Sequence, residues 1–333
     1  MYSDVLEHSE YTAILPQTVS HEPVVTHLQS NAATTFAVSL SGGVDSMVIA
    51  SALRMMNYEV ICLHINYNNR EESGKEAEFL EKWTTENGMN FKYRNIKGLV
   101  RCDSNRKEYE ESTKKIRFEF YQSVLEDSDA TSIMLGHHDD DIIENVVNNL
   151  FRGRNILDLT VMEKEDCMFG VCISRPLIGL RKSQVYEFAK KYKIPYFKDT
   201  TPYWSLRGIF RQQLLPILEQ TYKGACKNIL SISKQSDEWN SFIRSHVVEP
   251  YLLQVDFQDN YATLPLTDYK TYPECFWRHV LSIIFHKYSQ SCPSGKSIKN
   301  FVSKFSNPTK VMLTNSTYAE MLDSYAVIVF RSE

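Results

Sequence analysis

Short apolar runs alternate with helix-period stretches through the first half of this chain. Residues 36–40, 58–66, 91–96 and 132–136 are runs of strand length bounded by polar or glycine positions, which predicts buried strands. Each is followed by a helical stretch: one opening near Asp45 with Met47, Val48, Ile49, Ala50 and Leu53, then 71–86 ending near Gly88, then 107–125 and 140–151. Strands and helices alternating at these lengths predict an α/β fold, a parallel sheet with helices on both faces. In such a sheet functional residues gather beyond the carboxyl ends of the strands.

Further along, 173–178 reads as one more strand, and 181–192 carries Val185, Phe188, Ala189 and Tyr192 at i, i+3, i+4, i+7, an amphipathic helix. Residues 199–206, with Pro202, read as irregular, and 214–247 as helical up to a boundary at Glu249-Pro250. The tail shows helices at 276–288 and 297–305 and strands at 310–313 and 325–330. The expected division is an N-terminal arm (1–30), an α/β domain (31–215), a helical linker (216–249) and a small α+β accessory domain (250–333).

With 333 residues, 43% of them hydrophobic, the chain can bury a full core. No apolar run approaches the roughly 18 residues of a membrane span, and 12–15 is too short for a secretory signal, so a cytoplasmic protein without a membrane partner is expected. The seven cysteines contain no C-x-x-C pair, which argues against a zinc knuckle or redox dithiol. Net charge is −4, but residues 175–234 carry +9 and leave −13 to the remainder. That basic segment interleaves Tyr186, Phe188, Tyr192, Tyr196, Phe197, Tyr203, Trp204 and Phe210, a pattern that suits RNA as well as a solvated helix face over a core.

Two clusters carry chemistry. In Phe36-Ala37-Val38-Ser39-Leu40-Ser41-Gly42-Gly43-Val44-Asp45-Ser46 an apolar strand breaks into adjacent glycines before a helix. Such a loop lets the backbone approach an anion while the helix N-terminus offers free N–H groups to phosphates. It lacks the Gly-Lys-Ser/Thr ending of a Walker A loop; Pro293-Ser294-Gly295-Lys296-Ser297 imitates that ending but has Gln290 where the first glycine belongs, and reads as a turn and helix N-cap. In the second cluster, Gly136-His137-His138-Asp139-Asp140-Asp141-Ile142-Ile143-Glu144, two imidazoles and four carboxylates crowd a strand-to-helix junction, with Asp141 and Glu144 sharing a helical face. That face suits a metal, an ammonium group or a nucleophile.

Ser-Gly-Gly-x-Asp-Ser resembles the pyrophosphate loop (PP-loop) of N-type ATP pyrophosphatases. With Gly-His-His-x-Asp-Asp-x-x-Glu downstream, the chain resembles the tRNA(Ile)-lysidine synthetase family. Arg152-Gly153, Arg175-Pro176-Leu177, Ile194-Pro195 with Asp199, and Arg207 and Arg211 before Leu215-Pro216 extend the match over about residues 34–220. The resemblance implies a PP-loop ATPase fold of the adenine nucleotide alpha hydrolase type. It also implies ligation of lysine to C2 of the wobble cytidine of a tRNA with a CAU anticodon, through an adenylated cytidine, releasing AMP and pyrophosphate.

By that resemblance Ser41, Gly42, Gly43, Val44, Asp45 and Ser46 hold ATP, Asp45 and Asp140 hold Mg²⁺, and His137 assists adenylation. Asp141 and Glu144, with Lys114, take the substrate lysine; Arg207, Arg211, Lys190 and Lys191 touch tRNA. The chain departs from the family at Lys114, where an arginine is usual, at Asp199-Thr200-Thr201-Pro202, Asn145, Gly208 and Gln212-Gln213. Alternatives are another adenylating RNA-modification enzyme of thiolase type, which the absent C-x-x-C disfavours, or a tRNA-binding protein with a decayed site. Oligomeric state, a homodimer included, is not readable from the sequence.

Overall fold

A computed structural model describes residues 6–7, 22–28, 34–68, 72–96, 106–160, 162–199 and 201–330. The chain divides into two compact units: Met1–Arg152 with Thr160–Ser233, and Gly153–Leu159 with Lys234–Glu333.

In the first unit the elements run β1 (Leu6–Glu7), α1 (Pro23–Leu28), β2 (Thr35–Ser39), α2 (Val44–Met55), β3 (Glu59–Asn66), α3 (Ser73–Glu86), β4 (Asn90–Asn95), α4 (Arg106–Glu126), β5 (Ile133–Met134) and α5 (Asp139–Phe151). There follow β6 (Glu165–Met168), β7 (Val171–Ser174), α6 (Lys182–Lys191), β8 (Tyr196–Phe197), α7 (Leu206–Ile209), a π-helical turn (Phe210–Leu214), α8 (Leu215–Thr221) and the start of α9 (Ala225–Ile243). Six strands form one sheet in the order β4-β3-β2-β5-β7-β6, parallel except for β6. From β2 the chain steps outward through β3 and β4, then returns across the sheet to β5 on the other side of β2. The loops after β2 and β5 therefore diverge, and a crevice opens between them. Because β2 is covered on both faces, Phe36, Ala37 and Val38 are all buried and the strand reads as a continuous apolar run. One face packs under Met47, Ile49, Leu53 and Phe188, the other under Phe118, Tyr121 and Val124.

The second unit continues through a π-helical turn (Arg244–Val248), α10 (Glu249–Leu252), β9 (Asp256–Phe257), β10 (Tyr261–Pro265), α11 (Glu274–Lys287), α12 (Gly295–Ser303), β11 (Thr309–Met312), β12 (Thr317–Met321) and β13 (Tyr325–Phe330). Its antiparallel sheet, β11-β12-β13-β10-β9, packs with α11 and α12 around Trp277, Phe285 and Phe301. Pro250 lies just past the π-helical turn, and the backbone stays in the right-handed helical region through Val248 and Glu249, so the chain stays helical past Glu249. Ser294 caps α12 by accepting the Ser297 N–H at 3.2 Å, the turn-and-cap reading of the Walker-like pentapeptide.

One hairpin is absent from the sequence reading: β6, an edge strand with alternating half-exposed positions, turns back at Phe169-Gly170 into β7. It sets Cys167 opposite Cys172 with their sulfurs 2.9 Å apart, so a dithiol exists without a C-x-x-C spacing. Oxidised glutathione should join them, the two thiols giving two protons and two electrons to the glutathione disulfide. Peptide mapping after alkylation should find the Cys167–Cys172 crosslink, and Cys167→Ser should remove it.

Candidate functional site

The loop after β2 is braced before any ligand arrives. Ser46 Oγ donates to the Gly43 carbonyl at 3.0 Å and accepts the Ser41 N–H at 3.2 Å, while Ser41 Oγ accepts the Gly43 N–H at 3.2 Å. Gly42 sits at φ +81°, and a Cβ there would lie 2.3 Å from the Phe197 ring. Its carbonyl also takes the Phe197 N–H at 2.9 Å. Gly42→Ala therefore combines left-handed strain with a collision, and should destabilise the first unit by roughly 2–4 kcal/mol in urea unfolding and weaken ATP binding. Val44 is buried as the first residue of α2, leaving the exposed Ser41 hydroxyl and the helix N-terminus to form the cradle.

The junction after β5 presses on this loop. A Cβ at Gly136 would lie 2.7 Å from Asp45 Cβ and 3.2 Å from the Ser46 nitrogen, so only glycine lets the two segments meet. His138, buried at the N-terminus of α5, lies between carboxylates: its Nε2 is 3.4 Å from Asp141 Oδ2 and 3.7 Å from Asp45 Oδ1. Burial lowers its pKa, against the opposing pull of Asp141 and Asp45, and burial likewise lowers that of His137. Asp141 accepts the His138 backbone N–H at 3.1 Å.

Cations answer Asp45, Asp140, Asp141 and Glu144, while Asp139 accepts the Gly179 N–H at 2.7 Å. Lys182 Nζ reaches both oxygens of Asp45, at 2.7 and 2.6 Å. Arg181 forks onto Asp140 at 3.1 and 2.9 Å, and the Lys182 N–H adds a bond at 2.7 Å. Arg207 and Arg211 bind Asp141 Oδ1 at 2.6 and 2.8 Å, and Arg211 also holds Glu144 at 3.0 Å and Asp199 at 3.6 Å. Burial opposes charge on Asp141, but His138, Arg207, the His138 N–H and Arg211 together hold its carboxyl below the ordinary range. Two clefts, of about 340 and 270 Å³, meet at Ser41, Asp45, Arg207 and Arg211. The larger has an apolar floor of Leu40, Leu63 and Leu135 and reaches Arg117; the smaller is lined by Lys182, Lys198 and Asp199.

A family model described as a PP-loop domain matches residues 17–218, more than half of the 333-residue sequence. The chain belongs to the PP-loop family. Among curated proteins it is similar to the tRNA(Ile)-lysidine synthase of Enterococcus faecalis, 28% identical over 225 residues that cover 66% of this chain and 47% of that protein. The protein of the same name from Staphylococcus aureus is 23% identical over 290 residues, covering 84% and 67%. These relatives mark a divergent member, and the chain spans about half the length of the first. Among solved structures, the U34-tRNA thiolase NcsA of Methanococcus maripaludis aligns over 67% of this chain and 78% of its own, at 19% identity and TM-score 0.49.

In this PP-loop protein the residues expected from sequence do not all converge. Ser41, Asp45, Ser46, His137, Asp141, Arg207 and Arg211 line one cleft. Lys114 does not: it lies 4.9 Å above the Phe169 ring, on the side of α4 that carries Phe118, while Arg117 and Tyr121 turn towards the cleft. Arg117 donates to the Tyr67 hydroxyl at 3.0 Å. Lys191 pairs with Glu22, and both Lys190 and Lys191 stand at the far end of α6, roughly 14 Å along the helix from Lys182. Lys182 and Arg117 were missed from sequence, and His138 was read as part of the second cluster without a role of its own. Lys182 is the residue after Arg181 at the start of a strong amphipathic helix, which was the available signal.

Among the described residues no group of three or more His, Cys, Asp or Glu side chains is arranged to hold a metal ion. Asp140 is bound by Arg181 and the Lys182 N–H and lines neither cleft, so it does not fit as a ligand to a nucleotide-bound ion there. Asp45 fits as one carboxylate of a Mg²⁺ site completed by phosphate oxygens, the manner in which nucleotide-bound Mg²⁺ is usually held. No helix among the described residues is long and apolar enough to cross a membrane.

Proposed function

We propose that this protein splits ATP to AMP and pyrophosphate to activate a base of a tRNA, and joins free lysine to it. The observation that supports this most is the contact of Gly136 on Asp45, because it brings the Ser41–Ser46 loop and the start of the acidic helix α5 to one crevice. The nucleoside would lie on the apolar floor of the larger cleft, with the triphosphate reaching past Asp45 towards Lys182 and the α2 N-terminus. Mg²⁺, when bound at Asp45, would neutralise charge developing on the phosphates. The cytidine C2 oxygen would attack the α-phosphorus and expel pyrophosphate; the lysine ε-amine would then add at C2 and expel AMP. Asp141 and Glu144 would orient the amine, and Glu144, held by Arg211 at 3.0 Å, would take its proton. Arg207 is half exposed, and turning it to an RNA phosphate would free a face of Asp141 for the incoming ammonium.

The test is incubation with Mg-ATP, labelled lysine and a tRNA with a CAU anticodon. Label should enter the RNA with equimolar AMP. AMP release without lysine transfer would point to another adenylating RNA modification, and neither product would defeat the reading.

A further inference from the structure

We infer that Tyr203 and Trp204 form a stacking platform for an unpaired base of the RNA substrate. The inference rests on the RNA reading above and adds a contact to it. Ser205 donates to the Pro202 carbonyl twice, from its N–H at 3.0 Å and its hydroxyl at 2.7 Å. That closes a four-residue turn in which Tyr203 and Trp204 are the two corners. Corner positions favour small or polar residues that satisfy the turn. Here they carry large rings instead, 75% and 81% exposed, and Leu206 beside them is 62% exposed. Two rings held in water on a short turn give the fold no packing energy, which is the pattern expected of a contact site.

The turn is also rigid. Ser205 continues as the N-cap of α7, its Oγ accepting the Gly208 N–H at 3.0 Å. A Cβ at Gly208 would fall 2.2 Å from the Pro202 oxygen, so the glycine that departs from the family pattern is what allows α7 to close against the turn. Pro202, another departure, supplies the carbonyl at its centre. The two changes together build one feature: a braced aromatic corner beside Arg207, whose side chain lines both clefts. Bracing lowers the ordering cost of a contact. The surroundings select the occupant, since the rings stand in the segment of net charge +9. A flat π-face next to cationic groups fits a nucleobase on a phosphate backbone, and a base is free to stack only where it is unpaired.

Fluorescence gives a direct test on the full chain. Trp83 and Trp277 are buried and Trp239 is 58% exposed, so in a Trp239→Phe background Trp204 is the exposed tryptophan. A CAU-anticodon tRNA should quench its emission at stoichiometric ratio, and a duplex RNA of equal length should quench it far less. By filter binding, Trp204→Ala should weaken tRNA affinity roughly 5- to 100-fold with an unchanged salt slope, because a stack is lost and no phosphate contact is. Trp204→Phe should recover most of the affinity. If tRNA binds but neither emission nor the alanine variant's affinity moves, the platform is wrong and the RNA reading survives. Absence of tRNA binding by either method defeats both. Emission that follows protein concentration without RNA would make this corner a self-association contact and overturn the inference.

Discussion

Asp45→Ala will lower AMP formation from ATP by about a thousandfold while leaving tRNA affinity within a factor of about two. Asp45 stands where the two clefts meet, with its carboxylate 2.6 Å from Lys182 and His138 behind it. Removing it takes away the carboxylate shared by both clefts, which would hold a phosphate-bound Mg²⁺, and frees the Lys182 ammonium to bind the phosphates in an unproductive position. Ground-state ATP binding should therefore fall much less than turnover. The side chain faces the crevice and not the aromatic corner, so RNA contacts stay in place. Quenched-flow measurement of AMP and pyrophosphate, beside filter binding of tRNA, separates the two effects; AMP production within tenfold of the parent would remove Asp45 from the chemistry.

Arg211→Ala will destabilise the first unit by roughly 3 kcal/mol at pH 7, the scale of stranding a buried charge. Arg211 touches Asp141, Glu144 and Asp199, and the Asp141 and Glu144 side chains are only 8% and 12% exposed. With Arg211 gone, Arg207 alone answers two buried carboxylates. The pH dependence fixes the cause. The Asp141 carboxyl is held below its ordinary value in the folded parent, so its stabilising contribution is complete above the unfolded pKa of about 4 and is lost as pH falls through the lower folded pKa. In the variant that folded pKa rises. The gap between parent and variant should be widest at neutral pH and narrow below about pH 4. Urea unfolding at pH 7 and pH 3 measures it; a gap of equal size at both would show that Arg211 contributes packing and not charge.

Much of this was readable from residue order because the buried parallel strands are long apolar runs. Residues 36–40 and 58–66 announced β2 and β3 for that reason, and the two motifs fell at strand ends where a parallel sheet puts them. Strands with an exposed face and no apolar run were harder to read: β6 is Glu-Asp-Cys-Met, half exposed at the sheet edge, and β12, between β11 and β13, buries only Thr317, Ala319 and Met321 on one face. The cleft residues were legible where a motif named them. Lys182 and Arg117 were not, because their roles depend on which side of α6 and α4 turns inward, and a one-residue or one-turn choice of face is invisible to spacing alone. The same choice removed Lys114 from the cleft.

Phe197 binds the Gly42 carbonyl, and two residues later Asp199 meets Arg211, which holds Asp141 on the helix that Gly136 presses against Asp45. The contacts close on themselves: cradle, β8, arginine, acidic helix, cradle. A closed circuit distributes tolerance unevenly, since no link can drift without moving both neighbours, while positions off the circuit are free to change. Asp199 keeps its place in it while the residues after it change, and Lys114, Asn145, Pro202, Gly208 and Gln212-Gln213, where the chain leaves the family pattern, are off it. The divergence of this protein has run around the ring without cutting it.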